Sequence, residues 1–346
     1  MSGKTKIGIV GVGGIAQKRH IPAFLNHPDV EIVAVCDNRQ DVLDKVASDL
    51  GVKHKFTDYH DLLKLDEIDA VDICTPNFLH EDPTVKALDA GKHVLVEKPL
   101  ARNAEEGTAM VEASQRSGKK LMVAYCYRWH SGARALKRFI EAGDMGEIYY
   151  ARVQALRRRG IPSWGVFTQK DKQGGGPLVD MGCHALDLTL WLMGHPKPVS
   201  VTGVCHTKFG TRPGMVNLLG KWDHTNYTVE DFASAMVRFD NGASLMIESS
   251  FAANIEKDIF NTSLMGTDGG CELNPLKMYR EERQTLLDVT PVFLPEAKWH
   301  EQEIFDFIDA VRNNTPVPVP GEEALMVTKI IDAIYKSSEE GKEIVL

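Results

Sequence analysis

Alternation of short apolar runs with helical patterns over the first 124 residues constrains the fold more than any single motif. The runs Ile7–Val10, Ile32–Cys36, Ala70–Cys74, His93–Glu97 and Leu121–Ala124 have the length and apolar character of buried strands. Helical patterns lie between them, near 14–25, 40–50, 82–90 and 103–117, the second ending at Gly51 in a C-cap position. Strand–helix alternation at this pitch predicts a parallel sheet with right-handed crossovers, covered on both faces. That is a doubly wound α/β domain over residues 1–124.

Beyond residue 125 the pattern changes. The segment DFASAMVRFDNGASLMIESSF (231–251) holds two β runs around Asp240-Asn241-Gly242, a hairpin signal. Ile148–Leu156, Val199–Lys208 and Phe260–Met265 add strands, with Asp268-Gly269-Gly270 as another turn. Ile304, Ile308 and Val311 give one helical face, and Ala324, Val327, Ile331 and Ile334 give another. The expectation for 125–346 is an α+β domain on a mainly antiparallel open sheet. One sheet face is expected to pair with another subunit, because Phe232, Met236 and Met246 would otherwise lie exposed.

Composition narrows the function classes. The 346 residues are 43% hydrophobic and 25% charged, as in an ordinary globular protein of two domains. A formal charge of −8 argues against a general nucleic-acid binder, and Arg157-Arg158-Arg159 reads as a solvated strand end. No apolar stretch reaches membrane-spanning length, and MSGKTKIGIV is no signal peptide. Six scattered cysteines without a CxxC pair fit reduced thiols in a cytoplasmic protein, so the Asn-x-Ser/Thr matches carry no weight. Twelve histidines occur without HExxH spacing, and no metal site is expected.

The residues suited to chemistry gather at strand ends. Gly11-Val12-Gly13-Gly14-Ile15-Ala16 follows the first strand and opens a helix. In this G-x-G-x-x-A pattern the first glycine makes the tight turn and the second lets backbone approach a pyrophosphate. The small alanine permits close helix packing, and N–H groups at the helix start face the anion. Gly11, Gly13, Gly14 and Ile15 are the expected dinucleotide contacts of a Rossmann domain. Asp37 ends the second strand 26 residues after Gly11, where a carboxylate accepts from the adenosine ribose and repels a 2′-phosphate. That favours NAD, while Arg39 beside it is able either to stack on adenine or to bind a 2′-phosphate, which leaves NADP open. The strand over 70–74 runs into Thr75-Pro76-Asn77-Phe78-Leu79-His80, and Thr75, Asn77 and His80 are placed to bracket the nicotinamide ribose. Glu97 and Lys98 occupy the equivalent place one strand on, where Pro99 keeps Lys98 extended.

A second concentration is GGGPLVDMGCHALD over 174–187. In a helix starting near 180, Asp180 and His184 stand at i and i+4 on one face. The triple glycine before them is either mobile or closely approached, and Asp187 reads as a solvated helix acid.

Together GIVGVGGIA, CTPNFLH, VEKPLA, AYCYRWH, GGGPLVDMGCHALD and IIDAIYKSSEEGKEIVL, in this order and spacing, resemble the glucose–fructose oxidoreductase, inositol dehydrogenase and MocA group, Gfo/Idh/MocA. The resemblance covers essentially the whole chain. It implies a Rossmann domain followed by an α+β domain whose open sheet commonly forms a homodimer or homotetramer. It also implies NAD(P)-dependent dehydrogenase or reductase activity on sugars, cyclitols and related polyols. Carried over by position, Lys98 resembles the active-site lysine, with a cis peptide bond to Pro99, and Asp180 and His184 complete the catalytic set. Glu97, Asn77 and His80 are implied near the nicotinamide and its ribose, and Arg128 and Trp164 at the substrate.

In the implied reaction His184 takes the hydroxyl proton as the substrate carbon gives hydride to the nicotinamide, an ordinary imidazole pKa of about 6.5 suiting the role. Asp180 orients the imidazole or the substrate, and charged Lys98 favours the developing alkoxide. Two rival readings share the fold: a glycoside hydrolase or epimerase using held NAD for transient oxidation, and a non-catalytic dinucleotide sensor. The Lys98, Asp180 and His184 set argues against the sensor.

Overall fold

The computed structural model describes residues 3–346, so the first two residues of MSGKTKIGIV lie outside the described residues. The chain packs as two compact units. One runs through Trp129 and takes in Lys298–Leu325; the other comprises His130–Ala297 and Met326–Leu346.

In the first unit β1 (Thr5–Val10), β2 (Val30–Cys36), β3 (His54–Phe56), β4 (Ala70–Ile73), β5 (His93–Glu97) and β6 (Leu121–Ala124) form one parallel sheet. Its order, β3-β2-β1-β4-β5-β6, is the doubly wound Rossmann order. The order reverses between β1 and β4, so the crevice beyond those strand ends is where such sheets take ligands. All four residues of β4 and of β6 are buried, which accounts for their unbroken apolar character. Asp72 is the exception, a carboxylate at 0% exposure inside β4. β3 was not legible: His54-Lys55-Phe56 is short and half-polar.

The helices are α1 (Ile21–Asn26), α2 (Gln40–Leu50), α3 (Tyr59–Leu63), α4 (Glu81–Asp89) and α5 (Ala104–Ser117). Gly51 closes α2 in the left-handed region at φ 65°. A π-helical turn, Ala16–His20, precedes α1 and turns His20 into the interior.

The second unit contains α6 (Ser131–Glu141), β7 (Ile148–Leu156), α7 (Lys170–Gln173), α8 (Cys183–Leu192) and β8 (Pro198–His206). Then come β9 (Phe232–Phe239), β10 (Ser244–Ser250), β11 (Ile259–Gly266), β12 (Gly269–Glu272), β13 (Lys277–Glu282) and β14 (Thr285–Val289). After α9 (Trp299–Asn313) and α10 (Gly321–Glu340) the chain ends in β15 (Ile344–Val345). The nine strands of this sheet run β14-β13-β12-β11-β7-β10-β9-β8-β15, antiparallel except for β7 against β10. The β9–β10 hairpin turns through Asp240-Asn241-Gly242, with Gly242 at φ 86°. Along β9 buried residues alternate with half-buried ones, so one face is core while the other presents Phe232, Met236 and Met246 half-buried. Val204 and Met265 are exposed.

α9 packs with the first unit beside α1 and the 3-10 turn Cys126–Trp129, and its Ile304, Phe307 and Ile308 are fully buried. Trp129 Nε1 donates to Asp306 at 2.7 Å, and the rings of His27 and Phe305 meet edge-on at 4.7 Å. β6, the last strand of the parallel sheet, ends at Ala124, and the packing adds residues 125–129 and 298–325 to the first unit. All six cysteines are free, and no helix among the described residues is long and apolar enough to cross a membrane.

Candidate active site

The glycine-rich turn is built by close approach. Gly11 has φ +86°, and a Cβ there would lie 2.8 Å from the carbonyl carbon and oxygen of Cys74. Only glycine fits between β1 and the end of β4. The next glycines differ: a Cβ on Gly13 would meet only the Arg39 guanidinium at 3.8 Å, and one on Gly14 would meet nothing within 4 Å. Ala16 is fully buried beneath, while Gly14 and Ile15 are exposed.

Asp37, 8% exposed, braces this loop by accepting from Val12 N at 3.1 Å and from Arg39 N at 3.0 Å. Arg39 Nε also reaches the Asp37 carboxylate, at 3.3 Å, with its side chain largely in solvent. Open backbone over Gly13 and Gly14, N–H groups at a helix start and a carboxylate at the end of β2 are a donor and acceptor set that fits a dinucleotide.

Beyond β4, Thr75 Oγ1 donates to Leu79 O at 2.7 Å and closes a 3-10 turn, Asn77–Leu79, in which Asn77 is 7% exposed. His80 is fully buried, its Nδ1 2.8 Å from Pro99 O and its Nε2 2.9 Å from Thr75 O. Burial pulls the His80 pKa below its ordinary value, outweighing the two carbonyls that favour the charged ring. The ring joins the β4 exit to the turn after β5.

At that turn Glu97 is buried, Lys98 is half-buried and the Lys98–Pro99 peptide is cis. Glu97 Oε2 accepts from Lys98 N at 2.9 Å, and Oε1 lies 2.9 Å from His20 Nε2. Burial alone would raise the Glu97 pKa, but the hydrogen bond and charge of His20, with Lys98 beside it, hold it below the ordinary carboxylate value. Arg128, expected at a substrate, is 3% exposed and engaged through Nη1 with Glu323 at 2.5 Å and Pro318 O at 3.1 Å. Those contacts are packing contacts of the first unit.

On the second unit Asp180 sits in a π-helical turn, Leu178–Gly182, that runs directly into α8, where His184 is half-buried in the first turn. Asp180 is 9% exposed and its Oδ2 lies 3.9 Å from Arg157 Nη1. Arg157 is therefore no solvated strand end; its guanidinium also covers the Phe251 ring at 5.8 Å and donates to Gly160 O. Nor is Asp187 a solvated helix acid, since it is 0% exposed on the buried face of α8. Trp164 is 55% exposed, edge-on to Phe167.

The triple glycine is closely approached. Glu230, 6% exposed, accepts from Gly176 N at 2.9 Å, Leu178 N at 3.2 Å and Tyr335 Oη at 3.0 Å. A Cβ on Gly176 would lie 2.2 Å from Glu230 O, and one on Gly175 would fall 1.9 Å from Tyr335 Oη. Glu230 and His20 carry no motif of their own. The signals that point to them are indirect: a glycine run needing a partner, and a histidine on the fingerprint helix.

Known proteins resemble the chain over its whole length. Residues 5–125 match the model of an oxidoreductase family with an NAD-binding Rossmann fold, GFO_IDH_MocA, and residues 137–346 match its C-terminal alpha/beta domain. The chain belongs to the Gfo/Idh/MocA oxidoreductase family. Among relatives of this Gfo/Idh/MocA protein, D-glucoside 3-dehydrogenase of Escherichia coli (strain K12) is 34% identical over 346 residues, covering 100% of this chain and 98% of that one. The scyllo-inositol 2-dehydrogenase (NAD(+)) of Bacillus subtilis (strain 168) is 29% identical over 92% of this chain and 89% of its own. A solved levoglucosan dehydrogenase in complex with NADH superposes with a TM-score of 0.85 at 24% identity, over 99% of each chain, and shows the shared fold. As a member of the family the chain is an NAD(P)-dependent oxidoreductase, and the fold is the Rossmann plus α+β pair that the resemblance implied.

Proposed function

We propose that the protein oxidises a secondary hydroxyl of a sugar or polyol, with NAD as the favoured dinucleotide. The observation that carries this reading is the β5 exit. There a lysine is held at the carboxyl edge of the sheet, its amide fixed by Glu97 and its following turn tied by His80 to the strand that flanks Gly11. Two sugar and cyclitol dehydrogenases among the full-length relatives support the substrate class.

Gly11, Gly13, Gly14 and Ile15 would hold the diphosphate and Asp37 the adenosine ribose, with Thr75, Asn77 and Glu97 toward the nicotinamide end. When bound, the nicotinamide supplies a hydride acceptor. The ammonium of Lys98 holds the reacting oxygen and favours its alkoxide character. The His184 imidazole takes the hydroxyl proton, and Asp180 orients that imidazole or the substrate and stabilises imidazolium. Arg157 sets a positive charge beside Asp180, its Nη1 3.9 Å from Oδ2. Trp164 offers an apolar ring for a sugar face. Half-buried Phe232, Met236 and Met246 on the open sheet favour a homodimer or homotetramer through that face. Six free thiols are consistent with a cytoplasmic setting.

The test is absorbance at the NADH band while protein and NAD, or NADP, meet a panel of aldoses, glycosides, inositols and open-chain polyols. Reduction with one class of substrate, faster with NAD, is expected. Copurified dinucleotide never net-reduced by any of them would overturn the dehydrogenase reading and favour transient oxidation.

A further inference from the structure

His20, beside the site, is fully buried at 0% exposure and belongs to no step of the proposed reaction. It ends the π-helical turn that follows the glycine-rich loop, so its ring is delivered from the dinucleotide-binding segment. Its Nδ1 lies 3.0 and 3.1 Å from the two oxygens of Asp72, and its Nε2 lies 2.9 Å from Glu97 Oε1. A neutral imidazole has one donor, so a ring with an ionised carboxylate at each nitrogen is satisfied at both only as imidazolium. We infer that His20 is a positioning residue, holding the Glu97 carboxylate between its own Nε2 and the Lys98 amide and so fixing where Lys98 leaves β5.

The surroundings support a charged ring. Burial opposes the charge, yet the Asp72 carboxylate holds the His20 pKa well above the ordinary value. Cys74 donates its thiol hydrogen to Asp72 Oδ2 at 3.3 Å, and burial with the Asp72 charge pushes that thiol up, so it remains neutral. From α9, His300 faces the same region with its pKa lowered by burial, and Arg19 is the neighbouring fixed cation. Cys126 lies near Glu97, Lys98 and Glu303 and is itself pushed up by burial. Asp72 and Glu97 against His20 and Lys98 therefore make a balanced set of buried and half-buried charges. Removing the imidazolium leaves Glu97 short of its nearest cation, and its pKa must climb.

This inference rests on the proposed role of Lys98, but its physical half is tested without substrate. Protein labelled with 15N-lysine gives a Lys98 amide signal, assigned by its loss in Lys98→Arg. Across pH 5–8 that signal should stay constant in the wild type and titrate in His20→Gln as Glu97 gains a proton. Histidine side-chain NMR of the unmodified protein should show His20 titrating above its ordinary 6.5; titration at or below 6.5 would overturn the inference even if His20→Gln failed to fold.

With a turned-over substrate, His20→Gln should lower kcat about 10²-fold and move the acid limb of its pH profile upward. The His20→Gln, Glu97→Gln double variant should be no worse than Glu97→Gln alone. Additive losses, or a Lys98 signal indifferent to His20→Gln, would sink the inference. Absence of turnover with normal Lys98 and His20 titrations would instead count against the dehydrogenase reading alone.

Discussion

Glu230 and Tyr335, 105 residues apart in the chain, meet through a 3.0 Å hydrogen bond directly behind the glycine run that leads to Asp180. Burial outweighs the three hydrogen bonds on Glu230 and raises its pKa above the ordinary 4.5. For an acid shifted upward, the stabilising contribution is full below 4.5 and is lost as pH rises through the raised value. Glu230→Gln lacks that titration, so its stability deficit against the wild type should shrink as pH rises from 4 to 8. Tyr335→Phe should cost about 1–3 kcal/mol by stripping a donor from a buried carboxylate. Thermal unfolding across the pH range checks both, and a deficit that widens with pH in Glu230→Gln would contradict the assignment.

Two glycines of one loop should respond in opposite ways. Gly11→Ala combines a left-handed backbone with contact on the Cys74 carbonyl at 2.8 Å, and should lose about 2–5 kcal/mol of stability. Gly13→Ala meets only the tip of Arg39 and should unfold within about 0.5 kcal/mol of the wild type. Its methyl would stand where a diphosphate approaches the backbone, so NADH affinity should fall about ten-fold or more. Calorimetry paired with NADH fluorescence titration separates the two effects.

Lys98→Ala and His184→Ala should each lose about 10²–10⁴-fold in turnover while still binding dinucleotide. Steady-state rates alongside NADH titration decide this, and near-normal turnover in either variant would remove it from the proposed machinery.

Dinucleotide preference should follow Asp37. Its carboxylate is held by Val12 N and Arg39 N, so it cannot swing clear of a 2′-phosphate without breaking the loop brace. NADH should bind more tightly than NADPH by about 1.4 kcal/mol or more, a factor of ten. Asp37→Ser should narrow that gap, with Arg39 freed from its carboxylate partner. Parallel fluorescence titrations with both dinucleotides measure it; an unchanged ratio in Asp37→Ser would show that discrimination lies elsewhere.

Much of the first unit was legible because its signals are local. A strand, a glycine turn and a helix lie within twenty residues of each other, and β5 and β6 fall at His93–Glu97 and Leu121–Ala124 as the apolar runs indicate. The DNG hairpin is equally local. What escaped depends on distance along the chain. His20 finds Glu97 across 77 residues, and Glu230 reaches Gly176 across 54. Neither pairing leaves a periodicity. Arg157 departs from a solvated strand end because a run of three arginines carries no mark of which one turns inward, and Asp187 departs from the expectation that a helix acid is solvated.

The cysteines carry a practical corollary. Burial first, then neighbouring carboxylates, push the thiols of Cys36 and Cys205 up to about 12, and burial does the same at Cys271. Thiolate is the species that attacks alkylating agents, so these sulfurs should ignore maleimide at neutral pH. A cysteine placed at exposed Leu286 would react far ahead of them, giving a labelling handle on β14.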